Sequence, residues 1–91
     1  MPYIPITRRG KIDLIIGELS EEARSDGELN YAITSLLIKH FASTDGIYSY
    51  SICERIVGLL ECVKLEIYRR LVAPLEDRKK EENGDVFWDV F

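Results

Sequence analysis

A chain of 91 residues with 46% hydrophobic and 31% charged side chains has the composition of one folded domain rather than a disordered segment, and at this length it buries only roughly 60 to 65% of the surface its unfolded form exposes. Twelve basic against sixteen acidic residues leave a formal charge of −4, which argues against a protein whose main work is gripping a DNA or RNA polymer, because Lys and Arg supply most non-specific affinity for phosphates. Apolar runs such as Leu14-Ile15-Ile16 fall far short of the roughly 20 residues that cross a bilayer, and no apolar stretch follows a basic one before Arg8-Arg9 as a signal peptide requires; a cytoplasmic protein without a membrane partner is expected.

In chain order, residues 1–6 form an extended arm, since Pro2 and Pro5 bias their predecessors away from helix, and its Tyr3, Ile4 and Ile6 pack on something. Thr7 offers an N-cap to a first helix from Arg8 to Ala23, with Ile12, Ile15, Ile16, Leu19 and Ala23 on one face. Gly10 and Gly17 weaken that helix by up to about 1 kcal/mol each, so its stability comes mainly from burying the apolar stripe. Ser25-Asp26-Gly27 interrupts the pattern, and Asp26 or Ser25 caps a second helix whose apolar positions are Leu29, Ala32, Ile33, Leu36, Leu37 and Phe41. Ala42 to Gly46 ends it, and Ile47-Tyr48-Ser49-Tyr50 connects onward with exposed tyrosines.

The third helix, capped by Ser49 or Ser51, is the long one. Ile52, Ile56, Leu59, Leu60, Val63, Ile67 and Leu71 line one face, and Val57, Tyr68, Val72 and Leu75 widen it. A stripe this broad needs cover from more than one side, which a three-helix chain supplies only in part, so another subunit is expected to complete it. Pro74 predicts a kink or restart near Ala73. The charged stretch to Asn83 continues helically, and Gly84 stops it in a left-handed conformation. Asp85-Val86-Phe87-Trp88-Asp89-Val90-Phe91 is too apolar to hang free and docks on its own or a neighbouring subunit. The expected architecture is therefore all-α: a single helical domain over 1–91 with an extended arm at 1–6, a long, proline-kinked third helix and an apolar aromatic tail at 84–91, assembling into a homo-oligomeric helical bundle.

Groups for catalysis are sparse. Cys53 and Cys62, nine residues apart on one helix, fall on opposite sides of it at about 100° per residue; they cannot pair within a subunit and read as buried small apolar side chains in a reducing compartment. His40 is the only histidine and stands beside Phe41 with no partner in the sequence. Glu18, Glu21 and Glu22 on one helix and Glu54, Glu61 and Glu66 on another are the only acidic sets that suggest magnesium, and their spacing fits no acidic motif. No phosphate loop, nucleophile elbow or Cys-His spacing occurs. A non-enzyme with no catalytic residue, no metal ligand and no cofactor is expected.

Binding has more support. Tyr3, Arg8, Arg9, Asn30, Tyr31, Tyr68, Arg69 and Arg70 supply aromatic faces and guanidinium groups, the side chains that stack on bases and clamp phosphates. The structural alternative is that Arg69 and Arg70 pair with Glu66, Asp77 or a neighbour's acids.

The opening Met1-Pro2-Tyr3-Ile4-Pro5, the segment Gly27-Glu28-Leu29-Asn30-Tyr31-Ala32-Ile33-Thr34, the stretch from Glu61-Cys62 through Tyr68-Arg69-Arg70 to Pro74, and Glu82-Asn83-Gly84-Asp85-Val86 together resemble a family of small uncharacterised proteins of bacteriophages and bacterial genomes. Phe87 stands where that family carries a tyrosine, which leaves no role for a hydroxyl there. The resemblance implies a phage protein in the cytoplasm of a bacterial host cell, of the kind that forms compact oligomers and acts as an anti-defence sponge for nucleotide immune signals. The leading expectation is a homo-oligomer that binds and sequesters an anionic, nucleotide-like small molecule between subunits; the alternatives are a protein–protein interaction module docking on a host or phage protein, and a Mg-dependent nucleotide hydrolase.

Overall fold

The computed structural model describes residues 1–42 and 49–87. They are all-helical, with no strand among them: a 3-10 turn at Ile6–Arg8, then α1 (Gly10–Glu22), α2 (Asp26–Phe41), α3 (Tyr50–Ile67), a π-turn at Tyr68–Val72 and α4 (Ala73–Asn83). The last three form one helical run, so the described residues form three helices and the third is the long one. The expected connection through Ser43–Tyr48 and the aromatic end at Trp88–Phe91 lie outside the described residues.

The N-terminal arm departs from expectation. Pro5, with φ −54° and ψ 141°, leads into the 3-10 turn, in which the amides of Arg8 and Arg9 donate to the carbonyls of Pro5 and Ile6 at 2.9 and 3.1 Å. Thr7 lies inside that turn and caps nothing, so the first helix begins at Gly10 rather than Arg8, and its first α-type bond runs from Asp13 to Arg9. Nor is the arm extended throughout. The Ile4 amide donates to the Pro2 carbonyl at 2.9 Å, and Nε of Arg9 donates back to the Ile4 carbonyl at 2.9 Å. Proline, with its φ fixed, sets the turn two residues earlier than a threonine cap requires.

Elsewhere the caps follow the sequence. Ser25 is extended (φ −141°, ψ 164°), and its Oγ accepts from the Glu28 amide at 3.1 Å. The Glu28 carboxylate in turn accepts from the Ser25 hydroxyl and the Arg24 amide, a reciprocal arrangement of the capping-box kind. Replacing Ser25 with alanine should destabilise the fold by about 1 kcal/mol, read as a lowered urea midpoint with an unchanged slope. Of the two serines expected to cap α3, Ser49 is the cap, its Oγ accepting from the Ile52 amide at 3.2 Å, while Ser51 lies inside the helix. Gly84 ends the long helix at φ 95°, a conformation closed to most side chains, and the Asp85 carboxylate then accepts from the Phe87 amide at 2.9 Å.

Pro74 does not restart the helix. The backbone stays helical at Val72 (φ −75°, ψ −48°) and Ala73 (φ −59°, ψ −44°), and the Ala73 amide reaches back to the Tyr68 carbonyl, one residue beyond the α-helical partner. A proline has no amide and its ring collides with the carbonyl four residues before it, here Arg70. Widening the turn accommodates both defects without interrupting the helix.

The chain divides into two units, Pro2–Gly58 and Leu59–Phe91. In the first, Ala32, Leu37, Phe41, Ile52 and Ile56 are half-buried, and the Arg55 guanidinium lies 4.9 Å above the Phe41 ring, joining α2 to α3. The second is a helix with ion pairs along its own length: Glu61–Lys64 at 3.0 Å, Glu66–Arg69 at 2.6 Å, Lys79–Glu82 at 3.3 Å and Asp77–Lys80 at 3.9 Å. Such exposed pairs contribute only a few tenths of a kcal/mol each, so roughly this ladder keeps the helix soluble more than it keeps it folded.

No described residue is buried. Cys53 and Cys62, expected inside, are both exposed, because an apolar side chain is only as buried as the neighbours available to cover it.

Candidate functional site

The eight residues expected to bind a ligand fall into three local groups. Tyr3, Arg8 and Arg9 belong to the arm and its 3-10 turn, Asn30 and Tyr31 to the N-terminal half of α2, and Tyr68, Arg69 and Arg70 are consecutive in the π-turn. The last group belongs to the second unit and the other two to the first.

Within each group the side chains divide into held and available. Arg9 is half-buried and its Nε is committed to the Ile4 carbonyl, so it shapes the arm. Arg69 is committed to Glu66 at 2.6 Å, the structural alternative foreseen for it. Arg8 and Arg70, one residue away in each case, are exposed, and their side chains make no hydrogen bond or ion pair among the described residues. Each guanidinium therefore keeps five donors for an external anion. Tyr68 precedes the Arg69-Arg70 pair and is 52% exposed, which leaves a ring face for stacking.

Asn30 and Tyr31 do come together with other residues. With Asp26, Gly27, Thr34 and Ser35 they line a shallow groove along α2. The Asn30 carbonyl oxygen accepts from the Thr34 hydroxyl at 3.1 Å, leaving its amide group to donate outward. The Tyr31 ring, 74% exposed, also walls a second groove between α1 and α2 with Leu19, Glu22, Glu28, Leu36 and Lys39. Asp26, Glu22 and Glu28 make these grooves hostile to phosphate, so they suit hydrogen bonding and ring stacking, whereas the arginines suit charge. Lys39 and Ser35 escaped the sequence reading; the signal for them was the spacing Tyr31, Ser35, Lys39, four residues per step on one helical face.

His40 is exposed, its ring edge-on to Phe41 at 5.0 Å and 75°, an ordinary surface contact. Among the described residues no three His, Cys, Asp or Glu side chains gather to hold a metal ion, so the helix glutamates stay dispersed. No helix of the described residues is long and apolar enough to cross a membrane.

One family model, described as a domain of unknown function (DUF6899), matches residues 1–86. No curated protein and no solved structure matches the chain.

Proposed function

The chain belongs to the DUF6899 family, and from that premise and its own surface we propose that it is one subunit of a homo-oligomeric helical bundle that binds and sequesters an anionic, nucleotide-like small molecule between subunits, without turning it over. In this reading the third helix bends at its π-turn, Arg8 and Arg70 hold phosphate, Arg9 and Arg69 fix the backbone around them, and Tyr3, Tyr31 and Tyr68 offer ring faces to a base, with Asn30 reading its edge. The observation that carries it is the pairing of uncompensated Arg8 and Arg70 with neighbouring arginines already held in place. An anion is the group that satisfies such donors best. None of the described side chains is fully covered, which further subunits would remedy, and a pocket between them brings the local groups to one ligand. A phage protein in the host cytoplasm that removes a nucleotide immune signal fits this chemistry.

Titration calorimetry of the full chain against cyclic dinucleotides and cyclic ADP-ribose isomers tests the reading. Saturable binding at a fixed ratio of ligand to subunit is expected for one class; absence of heat with every member at high protein concentration would sink it.

A second reading has its own observation: Val86 is 81% exposed and Phe87 57%. A protein–protein interaction module would use them to dock on a host or phage protein. Removing residues 86–91 abolishes partner capture in that case and leaves small-molecule binding intact in the first.

A further inference from the structure

The groove along α2 is lined by residues of one helix, so the spacing of its polar groups is set by α2 alone. Asp26 and Asn30 stand four residues apart, one above the other on one helical face, with Tyr31 and Thr34 beside them in the groove. Asp26 is exposed, and its carboxylate has no hydrogen-bond or ion-pair partner among the described residues. The Asn30 carbonyl oxygen is taken by the Thr34 hydroxyl at 3.1 Å, which fixes the end of the amide that faces out as the nitrogen.

The order of these groups is chemically specific. A carboxylate offers two acceptors and no donor, and the Asn30 nitrogen offers donors and no acceptor. A flat ring that satisfies both must present two adjacent N–H groups followed by an acceptor. Guanine carries that row along one edge: its exocyclic amino group, the neighbouring ring N–H and the carbonyl oxygen. Adenine and cytosine place one amino group beside a bare ring nitrogen, which leaves a carboxylate oxygen facing an acceptor. Uracil has a single ring N–H between two carbonyls, so one carbonyl meets the carboxylate. The Tyr31 ring, 74% exposed, adds a surface on which the base stacks.

We propose that this face of α2 reads the base of the ligand and that the base is guanine. Asp26 accepts from the amino group and the ring N–H, Asn30 donates to the carbonyl oxygen, Thr34 positions Asn30, and Tyr31 stacks. The inference deepens the nucleotide reading above and rests on it. An acid is a poor neighbour for phosphate, but it is the group that selects guanine once arginines hold the phosphate. The first turn of a helix also favours an acid for its own sake. A carboxylate kept only for that purpose has no cause to discriminate among bases, and the experiment turns on that difference.

Titration calorimetry of the full chain with cyclic di-GMP and cyclic di-AMP compares two ligands with the same phosphates and different bases. The guanine compound should bind about tenfold more tightly, or better. Asp26→Asn supplies a second readout. An amide at that position accepts from the ring N–H and donates to a carbonyl where guanine has its amino group, which is the edge of xanthine. The variant should therefore shift its preference from guanosine monophosphate to xanthosine monophosphate by about tenfold or more, with helix content unchanged by circular dichroism. Equal binding of the two cyclic dinucleotides, tighter binding of the adenine compound, or an Asp26→Asn chain that keeps the wild-type preference overturns the inference and leaves the nucleotide reading standing. Absence of heat with every nucleotide removes both.

Discussion

Diluting the protein about a hundredfold should lower its thermal midpoint by roughly 5 to 15 °C, since folding and association are then one equilibrium and its position follows subunit concentration. The physical ground is the missing core. Not one described residue is buried, and helices that cover no stripe are marginal in water. Completing the burial of a half-exposed Leu, Ile or Val contributes on the order of 1 kcal/mol, so Leu59, Leu60, Val63, Ile67, Leu71 and Leu75 together would supply a sum comparable to the whole stability of a small domain. Far-UV circular dichroism at several concentrations reads it. A midpoint that does not move across that range places the stability inside one chain.

Replacing Arg8 and Arg70 together with alanine should weaken the ligand identified by calorimetry by about a hundredfold or more, because each removes charge-assisted hydrogen bonds of roughly 1.5 to 3 kcal/mol. The same ligand should bind less tightly to the wild-type chain as salt rises, through screening of exposed charge. Among the described residues neither arginine pairs with an acid, so the double variant should keep the wild-type mass and helix content. Arg69→Ala frees Glu66 from its 2.6 Å partner and is expected to act on both binding and helix stability. A double variant that binds like wild type removes these two residues from the site.

Periodicity marked the three helices, and serine or glycine marked the ends that need a special backbone: Ser25, Ser49 and Gly84 all act as their chemistry requires. Thr7 misled because two candidate starts compete, and Pro5, which fixes its own φ, wins over a hydroxyl that must find its amide. Pro74 announced a defect but not how the backbone would absorb it, since a break and a widened turn share the same local sequence. Cys53 and Cys62 were placed inside on polarity alone, which presumes a core to enter. For the site, the spacing of Glu66 and Arg69 already held their ion pair, and neighbours in sequence such as Asn30 and Tyr31 share a groove. Lys39, two turns along the same face, needed the helix to be drawn first.

Native mass spectrometry of the full chain, sprayed from a solution of tens of micromolar, an estimate set by typical subunit affinities, tests the oligomer at the centre of this account most directly. The expected spectrum shows an integral multiple of the subunit mass, with a small anionic molecule retained when the protein comes from cells that contain its ligand. A spectrum of single subunits from a solution in which the chain is fully helical would contradict it.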